Sequence, residues 1–372
     1  MTGQPPTASQ LPMAGEPSDS TPATATAVTA ATAPTNFVAT LFPGYFALVM
    51  ATGIVATGLA QEGLRAVAES LYIAAAVGFV VLGVLLTIRI AIYPRLFAAD
   101  VVSHSKGFAF LTIVAAINVM AAASIVIYSW WTLAWVLWFA GIVLWVPTAY
   151  ATLFAVVLGR KPGLGPGING TWFLLTVSIE SIAVVGALQL AHDPRDMLAF
   201  ACLALFVLGL VLYLIVMTMV FLRWTFEPLE PTEADPPAWI AAGAVAITVL
   251  AGSNLLLAKG GSPRIQRVAP FIEGMVVLAW ATATFWFPLM VAIGVWRHLV
   301  RRVPLRYSPA YWAVVFPLGM YGVASYKMRL AIGLTSLGWL PKLTLGIAAA
   351  AWLATAVGLA GRLRVLRRRS DH

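Results

Sequence analysis

The chain has 372 residues, 61% of them apolar and only 10% charged, with a formal net charge of +9 and a mean hydropathy of +0.90. Soluble domains carry about 25% charged residues, so this composition excludes a soluble globular protein and specifies a polytopic membrane protein. One cysteine, Cys202, and four scattered histidines exclude an intrachain disulfide and a Cys- or His-built metal centre, and no cofactor is expected.

In chain order, residues 1–36 come first. Their Thr/Ala/Pro-rich tract STPATATAVTAATAPT offers nothing to bury and reads as a disordered cytoplasmic tail. It lacks the basic start and single apolar core of a secretory signal. Ten apolar runs of membrane-spanning length follow, near 42–60, 68–90, 107–128, 131–157, 169–190, 196–222, 236–257, 270–297, 309–331 and 340–361. Gln61-Glu62-Gly63, Arg160 to Gly163, His192 to Arg195, Glu227 to Pro237 and Lys259 to Arg267 break them. The connections are short, so consecutive spans should pair as five antiparallel hairpins. Residues 37–362 then form one transmembrane domain, and 363–372 form a basic cytoplasmic tail.

Orientation follows from the loop lysines and arginines. With the N-terminus inside, the cytoplasmic loops and C-tail hold fifteen of them, including Arg301, Arg302, Arg306 and the Arg362–Arg369 run, against eight on the other side. Both termini are therefore placed in the cytoplasm of a multi-pass plasma-membrane protein. The net charge is explained by topology and by contact with anionic lipid headgroups, which leaves no case for nucleic-acid binding.

Polar residues are segregated. Span one carries Thr52 and Gly53, span three Asn118, span five Glu180 and Gln189, span seven Asn254 and span nine Lys327, whereas the even spans are rich in Leu, Val and Trp. Odd spans therefore read as an inner set and even spans as a lipid-facing ring. The alternative for each Asn or Thr is helix–helix hydrogen bonding. Most tryptophans read as interfacial or lipid-facing. Glu180, near the middle of span five, is costly unless hydrated, paired or protonated. It reads as a protonated acid bonded to a neighbouring helix, as a proton-coupling group, or as a modulator of pore charge. A direct pair with Lys327 stays open, with estimated depths that differ by roughly 10 Å at 1.5 Å per residue.

Span nine, YWAVVFPLGMYGVASYKM, has two irregularities. Pro317 removes a backbone donor and clashes with the carbonyl of Ala313, a loss that must be made good by protein or a wet cavity. Phe316 and Lys327 are eleven residues apart, about three turns, and share one face. With Gly319, they resemble a pore lining. Lys327 reads either as a snorkelling cation or as part of a positive ring at a pore mouth.

Three segments carry a family resemblance: FPGYFALVMATGIVATG in span one, YPRLFAADVVSHSKGFAFLTIVAAINVMA leading into span three, and WAVVFPLGMYGVASYKM in span nine. Over residues 37–362 the chain resembles the tellurite-resistance/dicarboxylate transporter family, which includes slow-type anion channels, malic acid transporters and sulfite efflux pumps. The resemblance implies an all-α integral membrane fold. Ten helices form five hairpins in a quasi-fivefold arrangement, with a central pore lined by the odd helices, in a homotrimer. It also implies a phenylalanine gate at the position of Phe316. Met50 to Ile54 and MYGVASYK are closer to the dicarboxylate and sulfite branch than to plant channels, and Glu180 matches no channel motif.

The expected function is transport of small anions (a C4-dicarboxylate such as malate, or sulfite, chloride or tellurite) through that pore. Phe316 is the constriction near mid-membrane and Pro317 its hinge. Gly319, Lys327, Glu180, Asn118, Asn254, Thr52 and Gly53 line the path. The alternative is a proton-coupled dicarboxylate or sulfite transporter using Glu180, with protons as coupling ion. A membrane-embedded enzyme would need clustered catalytic groups at one membrane face. The acids of the Glu227 to Asp235 loop read instead as a solvated linker.

Overall fold

The computed structural model describes residues 36–231 and 236–370, the side chains of 366–370 excepted. The expected tail over residues 1–35 lies outside them. Ten long helices account for most of the described chain. These are α1 (Ala47–Gln61), α2 (Arg65–Ile92), α3 (Leu111–Tyr128), α4 (Trp131–Leu158), α5 (Leu174–His192), α6 (Asp196–Phe226), α7 (Ile240–Leu257), α8 (Pro263–Val295), α9 (Trp312–Ala331) and α10 (Trp339–Ser370).

The helices form two concentric layers. Each odd helix packs on the even helix that follows it, which makes five hairpins. The odd helices also contact one another in a closed circuit, α1 to α3 to α5 to α7 to α9 and back to α1. This circuit is the quasi-fivefold ring, and the even helices surround it. The most apolar windows of α3, α5 and α7 are 89–94% buried, whereas those of the even helices are 11–39% buried. Outward-facing Val, Leu, Ile and Phe dominate the exposed positions of the even helices, as contact with lipid requires.

Small residues set the spacing of the inner ring. A side chain at Gly53 would meet Val119 of α3, one at Gly243 would meet Pro317 of α9, and one at Gly319 would meet Ile54 of α1, all within 3 Å. Left-handed residues close three hairpins: Gly63 (φ 85°) after α1, Ser129 (φ 56°) after α3 and Gly333 (φ 71°) after α9.

Among the described residues nine helices are long and apolar enough to cross a membrane. The tenth span is α9, whose 20 residues reach about 30 Å. It is less apolar because Pro317, Tyr321, Ser325, Tyr326, Lys327 and Arg329 lie within it. The helix is 13/20 buried, Pro317, Tyr321 and Ser325 included, while Tyr326, Lys327 and Arg329 are half-buried.

Several expectations need correction. The α7–α8 loop is shorter than expected, because Pro263 begins α8 as a helix N-terminus allows. The backbone beyond residue 362 continues α10 to Ser370. A further helix, Pro94–Val101, lies between α2 and α3. It is pinned by buried Arg89, whose guanidinium donates to Leu41 O at 2.6 Å and Asp100 Oδ2 at 2.5 Å, while Lys106 donates to Asp100 Oδ1 at 2.9 Å. Burial pushes the Asp100 carboxyl up, but the hydrogen bonds and charges of Lys106 and Arg89 outweigh it and hold the group below its ordinary range.

The tryptophans also depart from a purely lipid-facing role. Four indoles on even helices donate inward: Trp138 to Ile182 O (2.9 Å), Trp145 to Ser178 Oγ (3.1 Å), Trp280 to Ser325 Oγ (3.1 Å) and Trp352 to Thr52 Oγ1 (2.9 Å). The indole N–H is the ring's one polar atom, and without water in the hydrocarbon it must find a protein acceptor. These bonds tie the outer layer to the inner ring.

Candidate functional site

All five inner helices begin the same way. A short 3₁₀ turn opening on Pro or Gly precedes each one: Pro43–Phe46, Gly107–Phe110, Gly170–Phe173, Pro236–Trp239 and Pro309–Tyr311. Since the odd helices run parallel, these turns gather at one end of the ring, called here its N-terminal side.

Two cavities lie within the ring, each walled by all five inner helices or by the turns that start them. The one on the N-terminal side has a volume of about 220 Å³. Tyr45, Thr112, Thr171 and Ser308 supply its hydroxyls, and among the described residues no charged side chain lines it. The Thr112 hydroxyl lies 2.8 Å from Pro43 O and 2.6 Å from Ala109 O. Asn169 Oδ1 accepts from Thr171 N and Oγ1, which caps the turn before α5.

The cavity on the C-terminal side is much smaller, about 30 Å³. At roughly 10–15 Å³ per water site, it has room for about two waters. Its polar walls are Thr57 and Gln61 of α1, Asn118 of α3, Ser181 of α5, Asn254 of α7 and Lys327 of α9. Among the described residues Lys327 is its one charge, and no carboxylate lines it. Among the described residues the Lys327 ammonium forms no hydrogen bond or ion pair. Asn254 is 3% exposed, and its Oδ1 and both polar atoms of the Gln61 amide have no protein partner. Unpaired amides beside an unpaired cation make a site that can take a small anion.

Phe316 lies between the cavities. Ala313 lines one and Met320 the other, and Phe316 occupies the same stripe of α9 between them, 2% exposed. The matching register on the other inner helices holds Met50, Ala115, Val177 and Gly243, all buried. This layer is apolar throughout. It lies on the N-terminal side of the midpoint of α9. Pro317 packs against Gly243 and leaves the Ala313 carbonyl without its helical donor.

The remaining expected residues divide. Lys327 and Asn254 line the narrow cavity. Asn118 borders it, but its Nδ2 donates back to Val114 O at 3.0 Å and its amide lies against Gly141 of α4. Gly319 and Gly53 are ring contacts rather than cavity walls. Thr52 faces α10, where it accepts from Trp352. Glu180 is also off the path. Its carboxyl lies against Gly209 of α6 and accepts from Thr248 Oγ1 of α7 at 2.9 Å, so it points away from the axis and makes no pair with Lys327. Its neighbour Ser181 lines the cavity instead.

Gln61 and Ser181 were missed as wall residues. Hydropathy breaks at Gln61, which therefore reads as loop, and Ser181 is overshadowed by the acid beside it.

The sequence profile of the family described as SLAC1, voltage-dependent anion channel, matches residues 40–360. The chain belongs to the SLAC1 family. Similar proteins include an uncharacterised membrane protein of Mycobacterium tuberculosis strain H37Rv, 39% identical over 148 residues, covering 40% of this chain and 75% of the relative. An uncharacterised transporter of Methanocaldococcus jannaschii is 25% identical over 162 residues, 43% of this chain and 45% of its own. The sulfite efflux pump SSU1 of Trichophyton rubrum is 22% identical over 320 residues, 78% of this chain and 82% of its own. As a SLAC1-family member the chain is a membrane protein that transports anions; it is not an enzyme.

Proposed function

We propose that small anions cross along the axis of the inner ring, and that Phe316 closes the path between the two cavities. The observation that carries this reading is the sequence of spaces along one stripe of α9: a wide cavity at Ala313, an apolar layer at Phe316, and a narrow cavity from Met320 to Lys327. The wide cavity receives anions at five helix N-termini, where partial positive charge gathers. Lys327, about 16 Å beyond Phe316 at 1.5 Å per residue, then holds the ion with Asn254 and Gln61. The Pro317 break lets the N-terminal turn of α9 swing the ring aside.

The substrates are small mono- or dianions, with sulfite foremost given the SSU1 relative, and with malate, chloride and tellurite as further members of that class. On this reading the protein is a multi-pass plasma-membrane protein with both termini facing the cytoplasm, which the excess of Lys and Arg in the loops of that side supports. The subunit works as a homotrimer with one path per chain.

Flux of sulfite, malate and chloride into proteoliposomes tests the gate. Phe316→Ala raises flux at least about tenfold, as expected when a hydrophobic constriction is opened. A variant that folds and transports no faster than wild type would remove Phe316 from that role.

Proton coupling through Glu180 is a second reading, favoured by one observation: Glu180 Oε2 is buried without a hydrogen-bond partner. Thr248 faces it from α7 and Gly209 from α6, with Thr176 one turn before it on α5 and Tyr213 one turn beyond Gly209. Since the carboxyl lies off the axis, it would act on helix packing rather than on the ion directly. Glu180→Gln then abolishes the dependence of uptake on a pH gradient while preserving the fold. Unaltered pH dependence in that variant rules the coupling out.

A further inference from the structure

A third cavity, about 290 Å³, lies outside the ring, between α9 and α10 on the N-terminal side. That volume is at the lower end for small-ligand sites. Val314 on the back of α9 and Ala351 and Ala354 of α10 form its apolar floor, while Arg306 and Tyr307 of the α8–α9 loop form its rim. Gly358 makes room for the Tyr307 ring, which a Cβ there would meet at 3.0 Å. Tyr307 is anchored from the ring side by Trp312 Nε1 at 3.3 Å. The exposed positions at its mouth, Leu305, Arg306 and Ala354, open it toward the lipid.

The charge around it is one-sided. From residue 274 to residue 370 the sequence contains no Asp or Glu. On this side of the molecule the same stretch places Arg301, Arg302, Arg306, Arg362 and Arg364. Arg362 follows Gly358, which lines the crevice, by one turn of α10 and so shares its face. Arg302 is held at a left-handed φ of 54°, which fixes the turn that presents Arg306. An apolar slot under a guanidinium rim with no acid paired to Arg306 or Arg362 among the described residues matches a ligand with a hydrocarbon chain and an anionic head.

We propose that this crevice binds one anionic phospholipid of the adjacent leaflet. Its phosphate sits on Arg306 and Arg362, and an acyl chain lies along Val314, Ala351 and Ala354. A lipid seated there braces the back of α9 within one turn of Pro317. The site stands independently of the anion path, since no residue that holds the lipid lines either axial cavity.

Native mass spectrometry of the purified full chain, titrated with phosphatidylglycerol or phosphatidylcholine, tests it. The wild type should bind one phosphatidylglycerol at least about tenfold more tightly than phosphatidylcholine. Arg306→Gln combined with Arg362→Gln should erase that preference, at about fivefold per arginine, whereas Arg267→Gln at the opposite end should leave it unchanged. Ala354→Trp, which fills the slot, should weaken retention of phosphatidylglycerol more than tenfold. The arginine pair is exposed and leaves the packing intact, so it decides the matter if Ala354→Trp lowers the yield of folded protein. Equal binding of the two lipids by the wild type overturns the proposal, as does undiminished phosphatidylglycerol preference in the double arginine variant.

Discussion

The two axial cavities are walled by the same five helices, yet they differ in width and in charge. The N-terminal one is about 220 Å³ and carries only hydroxyls; the C-terminal one is about 30 Å³ and holds a lysine. On the proposed path this contrast divides two tasks: a wide antechamber that admits anions, and a narrow chamber with one cation and a few amides where size and charge are felt. Coulomb attraction at 4 Å is worth ≈ 1 kcal/mol in bulk water but ≈ 4 kcal/mol at an effective dielectric of 20, so one charge in the narrow chamber counts for more than one in the wide cavity.

Charge reversal breaks that comparison most sharply. Lys327→Glu should lower anion flux in proteoliposomes by more than about tenfold, because it puts a carboxylate where the ion is least hydrated. Ser308→Glu puts one carboxylate at the wide cavity, a change of one unit of charge against two at Lys327, and should lower flux by less than about threefold, since water screens it there. Equal losses in the two variants would mean that the cavities do not differ in the way their sizes imply.

A smaller effect is expected off the axis. Thr52→Val removes the acceptor of the Trp352 indole and should cost about 1 kcal/mol of stability, read as a lowered unfolding midpoint. Flux should change by less than about twofold. A large loss of flux with unchanged stability would return Thr52 to the path.

The sequence made the ten spans and their two layers legible, because hydropathy and the placement of Asn, Glu and Lys both follow solvent access. It also singled out α9, whose proline and lysine stand out in an apolar span. Azimuth was harder to read. Whether Glu180 or Ser181 faces the axis depends on the neighbours of α5: the two point about 100° apart, Glu180 toward Gly209 and Thr248 and Ser181 into the narrow cavity. Thr52 failed for the same reason: its partner, Trp352, is 300 residues away. The five 3₁₀ turns escaped notice because the shared feature is a backbone shape reached by Pro in three cases and Gly in two, within segments too short to align. The phenylalanine's role came from resemblance, while its place between two cavities emerged only from the fold.

The closed layer at Phe316 can be probed directly by thiol accessibility. Cys202 is fully buried, so the native chain gives a silent background. Ala313→Cys and Met320→Cys place single reporters on either side of the ring, and a charged thiol reagent is applied from the N-terminal side of the helices. Ala313→Cys should react and Met320→Cys should not, and adding Phe316→Ala should make Met320→Cys reactive. Rapid labelling of Met320→Cys with Phe316 in place, or no gain when the ring is removed, would contradict a path closed by this side chain.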